Sequence, residues 1–490
     1  MPSSIRKKPA FYTEIMMRGL RIGVDYDEIQ SHSGEEEIEY LFEMLFLPHF
    51  HVFLFSNGDI PPDLFQPSLM KLSDAEKLFL SSTPMRSECD IVHRRESPRF
   101  TGDDSLPGDE RILQINHPTN QGLLESYGGL NACTDSMELL LLAESRNVDI
   151  LISYDAFLSN PPWSIPSSTC VISPEQAVPL LGLFLRSQNY FFLKGHRLGA
   201  SDDIHAVGSD LSRDFYWPSA SDILPNAKRW RLSESDRDDH EELVGLANAI
   251  LQRATWVLQN RDRVLALLSV SHDIGSGEEI LSEVLQITLW LLGAVDAAAV
   301  IAHRVFDLAG GERNASWQNG EWINSLRNEG GEPVAKLVEE GSRGELVLSI
   351  LREVRNTIHG MPPSLVLFVQ NEENANLAIS LPKSRNKSIL KAVVNFEVPE
   401  IWGFFKSTDG QLLMHPGMFV EVMIPSVFEL IDSLLDKMWN ADLAKASARP
   451  QQSPDSGFSL TPMGKRRRLW QLGMGPAALV RSRDNDFKIK

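Results

Sequence analysis

Cysteine, basic charge and long apolar runs are all scarce in this chain of 490 residues. The three cysteines, Cys89, Cys133 and Cys170, form no CxxC pair and no even framework for disulfides. No stretch reaches the roughly 18 uncharged apolar residues of a membrane span, and no long apolar run follows the basic N-terminus as in a secretory signal. We therefore expect a cytoplasmic protein that does not enter a membrane.

The charge balance and the missing motifs exclude several classes of protein. The net charge of −19 argues against a protein coated in nucleic acid, although it allows one local basic site. There is no GxGxxG or P-loop pattern for nucleotide phosphates, and no GxSxG pattern of a serine hydrolase. The apolar fraction of 42% and the charged fraction of 23% are typical of soluble chains, and the length predicts several domains.

Four regions follow one another along the chain. Residues 10–195 alternate strand-like and helix-like runs, which predicts an α/β domain with a parallel sheet, although residues 84–110 are polar and predict a loop. Residues 196–232 have no strong period and predict a connector. Residues 233–442 predict a mainly α-helical bundle domain with a small β-hairpin insertion. Residues 443–490 turn low-complexity and then basic, and predict a disordered tail.

The densest group of chemically useful side chains lies at the end of the predicted helix 344–359. Arg352, Arg355 and His359 are three, four and seven positions apart, so they project from one side of the helix, next to Asn356. Histidine moves a proton near neutral pH and arginine holds a phosphate charge, so this group is suited to phosphodiester chemistry. The alternative is a helix end where basic side chains offset the helix dipole.

This run, with two long predicted helices before it and a closing helix after it, resembles the HEPN family. That family is an all-α fold found in many prokaryotic defence and toxin ribonucleases. Its signature is an arginine, four to six residues and a histidine, often with an asparagine directly after the arginine. Arg352 has the family spacing to His359, whereas Arg355 has Asn356 beside it, so either arginine can be the equivalent one.

The resemblance implies an RNA endonuclease that needs no metal or other cofactor at the helical site. His359 would take the proton of a ribose 2′-hydroxyl or give one to the leaving oxygen, and Arg355 or Arg352 would stabilise the charge on the phosphate. Asn356 would orient the phosphate or the histidine. The family pairs two such helices across a dimer, so a homodimer through the helical domain is expected. Antiviral defence or a toxin-like stress response would be its biological role.

The N-terminal region carries a second resemblance, to PIN-like nuclease domains, which have a Rossmann-like parallel sheet. Asp25 ends one predicted strand, Asp135 lies in a helix, and Asp155 follows a later strand, in the order of that family. The resemblance implies a site for Mg²⁺ or Mn²⁺ formed by these three carboxylates, and hence a metal-dependent nuclease. Aspartate is also common at strand ends and helix starts, so an inactive α/β domain is the alternative.

Three functional hypotheses therefore remain open from the sequence. The first is a metal-independent ribonuclease at His359, and the second is a metal-dependent nuclease at Asp25, Asp135 and Asp155. The third is a non-catalytic protein that dimerises and binds nucleic acid or a partner. The tryptophans of the helical region are expected to lie in the core rather than to stack on bases; they are Trp256, Trp290, Trp317, Trp322 and Trp402.

Overall fold

The computed structural model divides the chain into two compact units. Unit 1 contains Met1–Ser209 together with Leu460–Lys490, and unit 2 contains Asp210–Ser459. The structure describes residues 19–58 (without 33, 46 and 48), 88–94, 121–197 (without 163, 164 and 166), 203–208, 211–234, 238–269, 274–359, 363–394 (without 372 and 373), 399–439 (without 408), 447–448, 458–460 and 462–474.

Unit 1 is built on a five-stranded, fully parallel sheet. Its strands are β1 (Leu20–Asp25), β2 (Phe50–Ser56), β3 (Glu88–His93), β4 (Ile150–Ile152) and β5 (Cys170–Ile172), arranged in the order β3-β2-β1-β4-β5. Every residue of β4 and nearly every residue of β1 and β2 is buried, as expected of parallel strands that are covered on both faces. The predicted α/β class with a parallel sheet is confirmed.

Six α-helices accompany the sheet within the described part of unit 1's N-terminal segment. They are α1 (Tyr26–Gln30), α2 (Glu36–Leu45), α3 (Gln121–Leu124), α4 (Leu130–Ser145), α5 (Ala156–Ser159) and α6 (Pro174–Ser187). Helix α4 buries Met137, Leu140 and Ala143 against Phe53 and Leu151 of the sheet. The carboxyl ends of β1 and β4 meet at one edge, so their following loops lie side by side.

Two expectations for this part of the chain need correction. Strand β3 lies inside residues 84–110, which were predicted to be a loop. The predicted connector 196–232 instead contains the second strand of a hairpin, β6 (Phe191–Arg197) with β7 (Asp203–Gly208), and then α7 (Ser212–Ile223) and α8 (Pro225–Arg231). Polar residues are frequent in these elements, so the sequence shows no clear apolar period there. Large aromatic side chains such as Trp230 and Phe215 are nevertheless fully buried.

The prediction that residues 443–490 form a disordered tail is wrong for the central part of that range. Two short strands, β13 (Ser447–Ala448) and β14 (Phe458–Leu460), precede helix α16 (Pro462–Gln471) there. Arg467 of this helix donates to Glu43 over 2.6 Å, and the amide of Gln471 donates to the carbonyl of Phe192 over 2.8 Å. The basic run of the tail is therefore part of unit 1.

Unit 2 is mainly helical. After α7, α8 and the short β8 (Ser233–Glu234), its helices are α9 (His240–Leu268), α10 (Ile274–Val305), α11 (Gly320–Leu326), α12 (Glu332–Ala335), α13 (Arg343–His359), α14 (Lys383–Val394) and α15 (Pro416–Met438). Helix α13 buries one face through Leu346, Ile350 and Val354, the helical spacing read from the sequence. The coarse prediction of a mainly helical second region is confirmed.

Helices α9 and α10 form a long antiparallel pair with one consistent register. From one contact to the next, the residue number rises along α9 by the same amount as it falls along α10, as an antiparallel pair requires. The pairs that define this register are Glu242 with Arg304, Arg253 with Gly293, Trp256 with Trp290, and Arg263 with Glu283. These contacts lie along one flank of the pair, which we call the α9–α10 seam.

The predicted β-hairpin is present and belongs to a larger sheet. Strands β9 (Ser364–Asn371) and β10 (Asn374–Ser380) pair antiparallel, and β11 (Phe404–Lys406) and β12 (Leu412–Met414) extend them in the order β11-β12-β10-β9. One helical segment, Ser276–Val305 within α10, is long and apolar enough to cross a membrane by length and composition. Its most apolar 18-residue window has a mean hydropathy of 1.9, and 56% of that window is buried inside the protein.

Candidate functional site

Helix α13 presents Arg352, Arg355 and Asn356 on a half-buried side, opposite its buried apolar face. The guanidinium of Arg355 donates to the amide oxygen of Asn356 over 3.4 Å. Thr357 faces inward, where its hydroxyl donates to the carbonyl of Val354 over 2.6 Å. The helix continues through His359, whose side chain lies outside the described residues. The backbone therefore carries His359 one turn beyond Arg355.

Two residues from other helices join this group. Asp296 lies on α10 and Arg253 on α9, and the Arg253 side chain packs over Gly293 in the seam. A β-carbon built on Gly293 would lie 2.9 Å from Nε and 3.3 Å from Cδ of Arg253, so a larger residue there would force this arginine to shift. Neither residue was singled out from the sequence. A charged aspartate interrupting the most apolar helix was the one signal that could have marked Asp296.

Three arginines, Arg355, Arg253 and Arg352, lie close enough to Asp296 to act on its charge. Although the Asp296 side chain retains solvent exposure, the protein packed around its carboxyl raises the pKa, while Arg355, Arg253 and Arg352 lower it. Burial lowers the pKa of Arg352, and Glu353 and Asp296 oppose that change. We call the group of Arg253, Asp296, Arg352, Arg355 and Asn356 the arginine cluster.

The arginine cluster retains unused hydrogen-bond donors. Among the described residues, none of its three arginines lies within ion-pair distance of Asp296. Glu353, the acid beside Arg352, is bound instead by Arg385 at 3.3 Å and by Ser388 at 3.2 Å. Three guanidinium groups face one carboxylate, which leaves a local excess of positive charge in an acidic protein. Such an arrangement is suited to a phosphate group, whose oxygens accept paired bonds from arginine.

A second polar group lies at the carboxyl edge of the sheet in unit 1. The hydroxyl of Ser153, after β4, donates to Asp25 over 3.1 Å and to Glu28 over 2.8 Å. Asp25 is 4% exposed and also forms an ion pair with Arg94. Burial raises the pKa of Glu28, the bond from Ser153 lowers it, and the charges of Asp25 and Asp155 raise it further.

The three aspartates predicted to hold a metal ion are only partly brought together. Asp155 caps α5 by accepting from the backbone N–H of Leu158 over 3.0 Å, and it also accepts from the hydroxyl of Ser136. Asp135 is exposed, so its neighbour Ser136 occupies the inward position on α4. In the described parts of the chain, no three His, Cys, Asp or Glu side chains are grouped to hold a metal ion. The geometry here does not fit the predicted Mg²⁺ or Mn²⁺ site.

A separate cavity of about 610 Å³ lies at the C-terminal end of α10. His303 lines it and is almost fully buried, and its Nδ1 accepts a bond of 3.2 Å from the indole N–H of Trp322. The other charged lining residues are Asp238, Asp239, Arg304, Asp307 and Glu312. Because acids outnumber the single arginine, this cavity is unsuited to an anionic substrate, in contrast to the arginine cluster.

Comparison with known proteins identifies neither site. No family model, no curated protein and no solved structure matches the chain.

Proposed function

We propose that this chain is an RNA endonuclease that cleaves without a metal ion in unit 2, as its resemblance to the HEPN family implies. The arginine cluster supports the proposal, because two of its guanidinium groups, those of Arg352 and Arg355, lie on the helix that carries His359, and in the described residues neither forms an ion pair with Asp296. RNA supplies the matching anion at every nucleotide, together with a 2′-hydroxyl that can act as the nucleophile. A biological role in antiviral defence or a toxin-like stress response rests on the same resemblance.

The proposed reaction is an internal transfer within the RNA strand. His359 takes the proton of the 2′-hydroxyl, or a second group does so and His359 protonates the leaving oxygen. The 2′-oxygen then bonds to phosphorus, the bond from phosphorus to the 5′-oxygen breaks, and that oxygen receives a proton. Arg352 or Arg355 stabilises the negative charge on the phosphoryl oxygens. The products are a 2′,3′-cyclic phosphate and a 5′-hydroxyl, with no cofactor consumed.

The central test is cleavage of single-stranded RNA by the full chain in the presence of EDTA. We expect His359→Ala to lower the rate by about 10²- to 10⁴-fold, the usual contribution of a general acid or base. Arg352→Gln and Arg355→Gln separate the two arginines, since the one that contacts the phosphate should cost more. His51→Ala is the matched control, because that histidine lies in unit 1 beside Asp90. Undiminished cleavage by His359→Ala would contradict the proposal.

A homodimer through unit 2 belongs to the same proposal. In the HEPN family two such helices complete one composite site, so activity should depend on self-association. Sedimentation of the full chain measures this directly, and specific activity should fall on dilution below the dissociation constant. A strictly monomeric chain with full activity would remove the dimer from the proposal and leave the arginine cluster as a complete site.

The second candidate function is a metal-dependent nuclease in unit 1, which we propose to be PIN-like. Its support is the parallel sheet and the two acids, Asp25 and Glu28, that accept from Ser153 at the carboxyl edge, although the described residues contain no group of three such side chains placed to hold a metal ion. EDTA and Asp155→Asn would both abolish such cleavage, whereas His359→Ala would not. If the chain cleaves no RNA or DNA, either with Mg²⁺ or with EDTA, the third candidate stands: a non-catalytic protein that dimerises and binds nucleic acid or a partner.

A further inference from the structure

Two tryptophans form an aromatic pair in the α9–α10 seam. The ring centroids of Trp256 and Trp290 lie 4.5 Å apart, with the planes tilted by 49°. Both side chains are only half-buried, whereas Trp317, Trp322 and Trp402 are buried in the core. The expectation that all five are core residues is therefore wrong for this pair. Each indole keeps part of its apolar surface in solvent.

The aromatic pair and the arginine cluster lie next to each other along one flank. Arg253 lies one helical turn before Trp256 on α9, and Gly293 lies one turn after Trp290 on α10. Asp296 then follows Gly293 along α10, and the charges of Arg352 and Arg355 on the neighbouring helix α13 act on it. The two indoles of the seam are therefore followed by the guanidinium of Arg253 and then by the arginine cluster.

We propose that Trp256, Trp290 and Arg253 form a platform that binds single-stranded nucleic acid and feeds it to the arginine cluster. The proposal rests on the proposed function for the identity of the strand as RNA. An unpaired base stacks on an indole face, while Arg253 binds a phosphate of the same strand. A duplex keeps its base faces in its own stack, so the platform selects unpaired strands.

Charge favours a polyanion as the occupant of this surface. Leu289, beside Trp290 on α10, is 43% exposed, so the flank also has apolar area that a protein could cover. A protein partner would have to desolvate Arg253 and the cationic groups that follow it, which is costly without matching acids. A nucleic-acid strand matches both features at once, because it alternates flat apolar bases with phosphate charges.

The test measures binding apart from cleavage. Fluorescence anisotropy of the full chain is recorded with a labelled RNA 12-mer that carries 2′-O-methyl groups and cannot be cleaved, and with its duplex. We expect the single strand to bind more tightly, and Trp256→Leu or Trp290→Leu to weaken its binding about 10- to 100-fold. Trp256→Phe and Trp290→Phe should retain most of the affinity, because phenylalanine still stacks. The retained affinity also shows that the fold tolerates substitution there.

Arginine variants provide a matched pair on one helix. Arg253→Gln should weaken binding about tenfold and reduce its salt dependence, because one phosphate contact is lost. Arg263→Gln, at the far end of the same seam where the side chain is 67% exposed, should leave the affinity unchanged. Equal losses in both variants would indicate attraction by overall charge and would overturn the platform.

The outcomes separate this inference from the proposed function. If the leucine variants bind RNA like the wild type, the platform is wrong, even if cleavage still requires His359. If binding depends on both tryptophans but no RNA is cut, the platform stands and the ribonuclease proposal fails. If the leucine variants instead convert a dimer to monomers with unchanged RNA affinity, the pair is an interface between two copies and the inference is overturned. A wild type that binds no RNA refutes both.

Discussion

Asp296 is the residue that limits the positive charge of the arginine cluster. Its carboxylate faces Arg355, Arg253 and Arg352 without an ion pair to any of them in the described residues. It therefore acts as an internal counter-ion that keeps three like charges together when no anion is bound. A phosphate that binds the cluster as proposed would compete with this carboxylate, so we expect the charge state of Asp296 to change the affinity for anions.

We expect Asp296→Asn to strengthen RNA binding about threefold to tenfold at low salt, because it removes one repulsive charge. The gain should shrink as salt rises toward 1 M. Because the pKa of Asp296 is raised, lowering the pH protonates this carboxyl earlier than an ordinary aspartate and should bring the RNA affinity of the wild type toward that of the variant. Anisotropy at several pH values measures this, and Glu279→Gln on the same helix is the control. Identical affinities at every pH would contradict the role of Asp296.

At the scale of single elements, helix α16 is a basic segment that buries two of its arginines in unit 1. Arg467 is 2% exposed, pairs with Glu43 at 2.6 Å and stacks over Tyr40, with 4.8 Å between its Cζ and the ring centroid. The adjacent Arg466 pairs with Glu36 at the same distance of 2.6 Å but is 54% exposed. The two neighbouring ion pairs thus differ mainly in solvent access, which decides how much each stabilises the unit.

Arg467→Gln should lower the free energy of unfolding of unit 1 by about 2 kcal/mol, because it removes a buried guanidinium from its ion pair with Glu43 and from its contact with the Tyr40 ring. Arg466→Gln should change it by about 0.5 kcal/mol or less, as is usual for exposed pairs. Urea unfolding of the full chain, followed by circular dichroism, compares the two. Equal effects would mean that burial does not distinguish these ion pairs.

Elements with a clear period were predicted well, and those without one were missed. Helix α13 spans Arg343–His359, close to the predicted 344–359, because its apolar side chains recur at helical spacing. Strand β3 was missed because it is an edge strand whose sequence mixes acids with apolar residues, and exposed edges tolerate charge. Helix α16 was missed because its buried face is formed by arginines and a glutamine, which no hydropathy pattern marks as core.

At the scale of the whole molecule, unit 1 is discontinuous in sequence. Its sheet comes from the N-terminal part of the chain, and the chain returns after unit 2 to add Leu460–Lys490. Helix α16 packs against α6 and β6, and its Arg466 and Arg467 form ion pairs with Glu36 and Glu43 of α2. Gly182 of α6 leaves room for this helix, since a β-carbon there would lie 2.9 Å from Gln471 Cβ. The stability of unit 1 therefore depends on the distant end of the chain.

A chain that ends at Ser459 should lose stability in unit 1 and retain it in unit 2. Removal of α16 uncovers Tyr40 and removes the buried hydrogen bonds that the Gln471 amide donates to the Tyr40 hydroxyl and the Phe192 carbonyl, so unit 1 should unfold about 5 °C lower or more. Limited proteolysis with mapped cleavage sites shows which unit opens. A chain that ends at Met474 keeps α16 and is the control. Equal protection of residues 19–197 in both chains would contradict this dependence.

The sequence by itself determined the elements whose stability is local: the alternating α/β region, the long apolar helices, and the face of α13 that groups Arg352, Arg355 and Asn356. These follow from periodicity, which depends on neighbours only a few positions apart. Only the tertiary structure decided that Arg253 and Asp296 join them, that Ser136 rather than Asp135 faces Asp155, and that α16 completes unit 1. Those contacts join residues distant in sequence, and their side chains carry no local pattern that marks the partner.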